Sequence, residues 1–321
     1  MAGLVERARV ATGSLLADSA FRAAALVGRL HPNARPSRHG VDVVRDVAYG
    51  GESEHRLDVW RPRTPGPHPA VLYVHGGGFR ILSKDTHWVM ALAFARRGYV
   101  VFNVDYRLAP RHRFPAAVQD VCRAYEWVVA NGARYGAEVS RLVVAGESAG
   151  ANLAAVLAVA ACYERPEPWA RAVYATGVVP KVCVPACGVL QVSDSARFSR
   201  RRRLSTFLND RLAEVSRAYL GGVDALALPG GTDLADPLLL FESDTLPARP
   251  LPAFFAGVGT RDPLLDDTRR LEAALMRRGV TCRASYHEGE VHAFLAFVFR
   301  REARRYWREL FAFLDEQLPV T

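Results

Sequence analysis

Lysine is almost absent from this chain: Lys84 and Lys181 are the only two among 321 residues. The net charge of +9 therefore comes from arginine. Arginine excess of this kind can serve nucleic acid, an acidic membrane or anionic ligands. Here the arginines are scattered and no nucleic-acid motif organises them, so a polynucleotide partner is not expected. The one dense cluster is Arg200, Arg201, Arg202 and Arg203. Also missing is any unbroken apolar stretch long enough to cross a bilayer. Cysteines are few and odd in number: Cys122, Cys162, Cys183, Cys187 and Cys282. Such a set does not form a disulfide framework. Cys183 and Cys187 lack a second Cys or His pair nearby, which argues against a zinc site. Buried free thiols in a reducing, cytoplasmic setting are expected.

Half of the residues are hydrophobic and they are spread along the chain. That suffices for a sizeable core and excludes a disordered chain. No internal repeat or low-complexity segment interrupts the pattern. Near the N-terminus, Glu6, Arg7, Arg9, Asp18 and Arg22 break every apolar core that a signal peptide would need. Leu4, Ala8, Ala11, Leu15, Ala23, Leu26 and Leu30 recur at helical spacing, which predicts one or two amphipathic helices packed on the domain. Peripheral membrane contact through this helix or a basic lid, and a homodimer, both stay open.

From residue 41 onward the pattern becomes an alternation of strands and helices. Val41 to Tyr49 and Leu57 to Trp60 read as short strands around the turn at Gly50-Gly51. Ala70 to Val74, Val100 to Val104 and Leu142 to Ala145 are apolar runs, as in strands buried on both faces. Val184 to Val192, Ala253 to Val258 and Thr281 to Tyr286 read as further strands. Helices are predicted over Ala116 to Val129, Ala149 to Tyr163, Asp267 to Arg278 and Phe297 to Gln317. This alternation predicts an α/β fold with a mostly parallel sheet covered by helices on both faces. Residues 193–243 break the rhythm with a polar, arginine- and glycine-rich stretch. One helix stands out there, near Asp210 to Leu220, and the excursion reads as a lid.

Gly146-Glu147-Ser148-Ala149-Gly150 satisfies Gly-x-Ser-x-Gly directly after a strand and directly before a helix. In that context the serine sits on a sharp turn that lifts its hydroxyl above the sheet. A serine hydroxyl needs a base and an orienting acid to act as a nucleophile. In this architecture the order is Ser, then Asp or Glu, then His. Only His287 and His292 follow Ser148. His287 ends a predicted strand, where a structural role is adequate; His292 lies in a loop able to reach over the sheet and is the candidate base. Asp262 lies just past the strand Ala253 to Val258, where sites gather in parallel sheets. Asp266 and Asp267 fall at a helix start, where N-capping explains them.

His75-Gly76-Gly77-Gly78-Phe79 follows the strand Ala70 to Val74. Consecutive glycines let main-chain N–H groups approach an oxygen on which charge develops. A phosphate loop is the weaker alternative, because the P-loop lysine and the dinucleotide fingerprint are both missing. Trp88, Phe79 and Phe207 are candidate pocket walls, with ordinary core packing an equal reading.

Together these segments resemble the hormone-sensitive-lipase-like family of α/β-hydrolases, which includes many bacterial carboxylesterases. The match rests on His75 to Phe79, Gly146 to Gly150, and Asp262-Pro263-Leu264 with Gly289-Glu290-Val291-His292. Asp105-Tyr106-Arg107-Leu108-Ala109-Pro110 through Phe114-Pro115-Ala116-Ala117 adds a fourth stretch. The resemblance runs from about Val41 to the C-terminus and is weakest between Ala170 and Ser243. It implies Ser148 as nucleophile, His292 as base and Asp262 as orienting acid. It further implies an oxyanion hole from the N–H groups of Gly77, Gly78 and Ala149, with no cofactor or metal. A division follows into N-terminal cap helices (1–40), a hydrolase core (41–192 and 244–321) and an inserted cap (193–243). Two positions depart from the family: Glu147, where many members have Asp, and Ala293, where Gly commonly follows the histidine. The expected reaction is hydrolysis of short to medium acyl esters through an acyl-enzyme. An amidase or formamidase with the same triad, or a non-catalytic receptor on this fold, are the alternatives.

Overall fold

The computed structural model describes residues 19, 21–23, 25–201 and 203–319. Its frame is an eight-stranded sheet of strands β1 (Val41–Ala48), β2 (Arg56–Pro62), β3 (His68–Val74), β4 (Val100–Val104), β5 (Ala137–Glu147), β6 (Val182–Ala186), β7 (Ala253–Gly259) and β8 (Cys282–His287). They lie side by side in the order β1-β2-β4-β3-β5-β6-β7-β8. The first two pairings, β1 with β2 and β2 with β4, are antiparallel; all the others are parallel. This is the α/β architecture that the apolar runs predict.

Successive side chains of a strand face opposite ways, and both faces of this sheet are covered. Ala70, Leu72 and Val74 of β3 enter one core with α2 (Ala116–Asn131) and α3 (Ala149–Cys162). Val71 and Tyr73 enter the other with α1 (Trp88–Ala95) and α9 (Arg301–Gln317). Every residue of α3 is buried, which explains its small, uniformly apolar sequence. In α9 only one stripe is buried, built from Ala303, Tyr306, Trp307, Leu310, Phe311, Phe313 and Leu314.

Further helices are α4 (Pro168–Ala175), α5 (Arg197–Arg201), α6 (Thr206–Leu220), α7 (Pro237–Glu242) and α8 (Leu265–Arg277). Among the described residues the stretch 193–243 thus holds three α-helices, where one stood out in the sequence. Helix α6 starts earlier than the expected Asp210, because Ser205 caps it: the Ser205 hydroxyl accepts from the Leu208 amide at 3.3 Å. Leu238 and Phe241 of α7 are fully buried, with Phe241 edge-on to Phe254 of β7.

Two expectations are corrected. The strand predicted over Val184 to Val192 covers only Val182–Ala186. Cys187 has φ 39° and turns the chain away. The amides beyond it pair with Ser148 O (from Val189, 3.3 Å) and with Asp267 (from Leu190, 2.9 Å) instead of a neighbouring strand. At the N-terminus, Leu4, Ala8, Ala11 and Leu15 lie outside the described residues. Residues 25–30 are helical, but Leu26 and Leu30 face outward, 65% and 77% exposed. The small residues make the contact instead. Trp88 donates its indole N–H to Ala25 O at 3.1 Å, and its ring lies against Gly28. Among the described residues no helix is long and apolar enough to cross a membrane.

Candidate active site

Ser148 stands between the end of β5 and the start of α3, with φ 57° and ψ −115°. A non-glycine residue held at positive φ is strained and persists only where its surroundings over-determine it. Its amide donates to Ala186 O at 3.0 Å, and its carbonyl accepts from Asn152 and Val189 at 3.3 Å each. Gly146 and Gly150 are required by closeness: a Cβ on either would run into the main chain of Val74, and on Gly150 into His75 as well.

His292 and Asp262 reach Ser148 from the loops after β8 and β7. His292 Nε2 lies 3.0 Å from Ser148 Oγ, and its Nδ1 lies 2.9 Å from Asp262 Oδ2. A carboxylate only accepts, so Nδ1 carries the proton and Nε2 faces the serine hydroxyl as an acceptor. The two loops are laced together by Arg261 N to Glu290 O at 2.9 Å and Gly289 N to Thr260 Oγ1 at 2.9 Å. Asp262 is fully buried, and its Oδ1 accepts the Leu264 amide at 2.8 Å where α8 begins. Burial disfavours a charged His292. The charge and hydrogen bond of Asp262, with the charge of Glu147, outweigh it and raise its pKa. Ala293, the alanine that departs from the family pattern, sits in the left-handed region at φ 55°.

The glycine loop lies across from this pair. Gly77 and Gly78 have φ 106° and 60°, conformations that glycine adopts without a Cβ penalty. Among the described residues the main-chain amides of Gly77 and Gly78 have no main-chain acceptor. The stretch after β4 braces this loop. Tyr106 stacks on His75 at 4.3 Å and donates its hydroxyl to His75 O at 2.9 Å, while Ala109 N donates to Phe79 O at 2.8 Å. His75 is buried beside His87, and both effects lower its pKa to about 3, so it is neutral.

In the sequence Glu147 stands out only as a departure from the family pattern. In the structure its carboxylate is buried and collects three donors: Gly76 N at 2.7 Å, Tyr73 Oη at 2.5 Å and His87 Nε2 at 2.6 Å. It therefore ties the residue before Ser148 to the start of the glycine loop. The only sequence signal was its place inside the pentapeptide.

Asp267 is a further correction. It does not cap α8, whose N-cap is Leu264. Asp267 is fully buried and holds Arg197 of α5 through two hydrogen bonds. His287, by contrast, has a structural place, buried between Ser285 and Glu302. The three aromatic residues weighed as pocket walls separate. Phe79 is fully buried and stacked on Tyr219 of α6 at 3.9 Å, Trp88 is buried against the N-terminal segment, and Phe207 is 56% exposed.

Helix α6 covers the glycine loop. Val215 lies where a Cβ on Gly78 would project. Glu214 joins Arg80 of the loop and Arg211 of the helix, at 2.6 Å each. Of the arginine cluster, Arg200 pairs with Asp194 and Arg201 approaches Asp266 at 4.0 Å, both largely exposed; Arg202 lies outside the described residues. A cavity of about 350 Å³ opens beside Arg197, Arg200, Arg201 and Arg270, but Asp194, Asp266 and Asp267 line it too and offset its charge. Neither Ser148 nor His292 borders it. Cys187, Asp262 and His292 bring possible metal-ligand atoms within 4.8 Å of one another. A cation there would have to break the Asp262–His292 hydrogen bond, and burial holds the Cys187 thiol in its protonated form.

A family model described as alpha/beta hydrolase fold matches residues 71–296. The chain belongs to the hormone-sensitive-lipase-like α/β-hydrolases. This hydrolase is 33% identical over 258 residues to the carboxylesterase NlhH of Mycobacterium tuberculosis, covering 79% of this chain and 75% of that protein. Its structure is similar to the esterase LipW from Mycobacterium marinum, with TM-score 0.75, 28% identity and coverage of 97% and 90%. It is also similar to an esterase of Pyrobaculum calidifontis, with TM-score 0.72, 27% identity and coverage of 96% and 94%.

Proposed function

We propose that this carboxylic ester hydrolase cleaves short to medium acyl esters of small molecules through a Ser148–His292–Asp262 triad. The carrying observation is the continuous path from Ser148 Oγ through both nitrogens of His292 to Asp262, at 3.0 and 2.9 Å. The elbow strain at Ser148 supports the same reading, as do the amides of Gly77 and Gly78, which have no main-chain acceptor among the described residues.

In this scheme Ser148 Oγ forms a bond to the ester carbonyl carbon while its proton passes to His292 Nε2. The carbonyl oxygen becomes an oxyanion, held by the N–H groups of Gly77, Gly78 and Ala149. Ala149 is the first residue of α3, so its amide has no partner within the helix and can turn to the oxyanion. His292 then gives its proton to the departing alcohol oxygen as the C–O bond breaks, leaving an acyl-serine. Water attacks that ester, His292 takes its proton and returns it to Ser148 Oγ, and the acid leaves. Asp262 keeps the tautomer that leaves Nε2 free and offsets the imidazolium charge. The scheme uses protein groups and water alone.

Residues 1–40 and 193–243 are read as the cap over this site. Contact of α6 with the glycine loop through Val215 and Glu214 supports a cap that limits acyl length. Purified Ser148→Ala with p-nitrophenyl butyrate tests the assignment. Hydrolysis is expected to fall to background, with the fold retained by circular dichroism. A variant that turns over like the parent would reject Ser148 as nucleophile.

A further inference from the structure

His87 stands at the end of the loop 83–87, directly before α1, and is buried. Both of its ring nitrogens meet acceptors. Nδ1 lies 3.0 Å from Ser83 O, a carbonyl that can only accept, and Nε2 lies 2.6 Å from Glu147 Oε1. Thr86 Oγ1 lies 2.9 Å from Nδ1 and 2.7 Å from the same Ser83 O. A neutral imidazole has one N–H for these two sides; the imidazolium has two. Glu147 mirrors this arrangement, with three donors on one buried carboxylate.

We propose that His87, as an imidazolium, is a positioning residue for ester hydrolysis: it keeps Glu147 ionised, and Glu147 holds the Gly76 amide and the oxyanion loop in register with Ser148. The proposal rests on the triad reading and deepens it. Glu147 is covalently next to Ser148 and hydrogen-bonded to Gly76, so this one carboxylate sets the spacing between nucleophile and oxyanion donors. A buried carboxylate without a cationic partner takes up a proton, and would then accept less well from Gly76 N. The loop bearing Gly77 and Gly78 would lose its anchor.

The surroundings of His87 agree. Glu147 faces it from β5, Tyr73 from β3, His75 from the glycine loop with ring centres 5.5 Å apart, and Asp105 from the end of β4. Burial opposes the cation. The charge and hydrogen bond of Glu147, the Ser83 carbonyl and the charge of Asp105 outweigh it, raising the pKa of His87 and leaving His75 neutral. Loop 83–87 is itself pinned by Lys84, one of the chain's two lysines. Its Nζ meets Asp46 at 2.8 Å and the fully buried Asp58 at 3.0 Å, and its amide donates to Asp105 at 2.6 Å.

The experiment compares the parent, His87→Gln, Glu147→Gln and the double variant on p-nitrophenyl butyrate from pH 6 to 10, with Ser148→Ala as the blank. A donor displaced by even an ångström costs up to about a hundredfold. His87→Gln is therefore expected to lower kcat by about tenfold to a hundredfold, with KM within about twofold. The parent should lose kcat as rising pH deprotonates His87, and His87→Gln should lack that alkaline limb. Because His87 acts through Glu147, the double variant should be no slower than the slower single variant by more than about twofold. Parent-like kcat in His87→Gln, an alkaline limb that persists in it, or multiplying losses in the double variant would each overturn the proposal. A second measurement needs no variant: ¹⁵N shifts of the parent's His87 at neutral pH should report two protonated nitrogens, and a neutral tautomer would overturn it. Failure of the triad reading would show separately, as hydrolysis by Ser148→Ala.

Discussion

Arg197 reaches from α5 into the first turn of α8 and grips Asp267, Nε to Oδ1 at 3.0 Å and Nη2 to Oδ2 at 2.5 Å. Asp267 lies on the same loop-to-helix turn as Asp262, and its Oδ2 also takes the amide of Leu190. One buried carboxylate thus joins α5, the chain after β6 and the start of the helix that follows Asp262. Burial raises the pKa of Asp267, and the charge and hydrogen bonds of Arg197 work against that rise. Both partners are buried, so the planar fork of arginine matters here beyond its charge.

Arg197→Ala should therefore destabilise the protein by about 3–5 kcal/mol, because it leaves Asp267 buried without its partner. Guanidinium unfolding at pH 7 measures this. Arg197→Ala with Asp267→Asn should recover part of the loss, and two losses that simply add would contradict a direct pairing.

Asp262→Asn tests the tautomer. An amide in place of Oδ2 can offer an N–H to His292 and favour the tautomer with the proton on Nε2. A fall in kcat of about 10⁴ is expected, as in other triads. Steady-state kinetics with unchanged circular dichroism would support the role, and a loss under tenfold would count against it.

The pH profile follows from the raised pKa of His292. As the proposed base, His292 works only when neutral, so kcat/KM should fall as pH drops through its pKa. The midpoint should lie above the ordinary histidine value of about 6.5. Rate measurements between pH 5 and 8 locate it, and a midpoint below 6 would deny that Asp262 holds the cation.

Ala293 carries a Cβ in the left-handed region. Ala293→Gly should stabilise the protein by about 1 kcal/mol, the penalty of that conformation for an L-residue less the entropy of glycine. Chemical denaturation measures the gain, and esterase activity should persist because the backbone path after His292 is unchanged.

Gly78→Ala should do the reverse to function. Its new Cβ would meet Val215, and φ 60° disfavours any side chain. Misplacing that amide should reduce kcat by about 10²–10³, the usual cost of one oxyanion donor. Activity within twofold of the parent would contradict the proposed oxyanion role of Gly78.

Much of the fold was legible because its signals are local. The apolar runs at Ala70 to Val74 and Val100 to Val104 are short, β-rich and bounded by turns, as strands buried on both faces must be. The small residues around Ser148 mark a turn squeezed between β3 and α3. Chain order then limited the base to His287 or His292. Signals weakened where partners come from far along the chain. The strand expected over Val184 to Val192 stops early because Cys187 bends the chain and the following amides serve Ser148 and Asp267. Leu26 and Leu30 had the right spacing but the wrong face: among the described residues Trp88 meets Ala25 and Gly28.

For this hydrolase, residue type and order sufficed for the strand–helix alternation, for Ser148 on its turn and for the succession Ser148, Asp262, His292. Each depends on neighbours a few residues away or on the fold's fixed order. Tertiary structure alone decided that Asp267 grips Arg197 and that Glu147 joins His87 to the glycine loop. Those pairings span 60 to 71 residues of chain. They arise because a buried charge must find an opposite charge or a donor wherever packing places one.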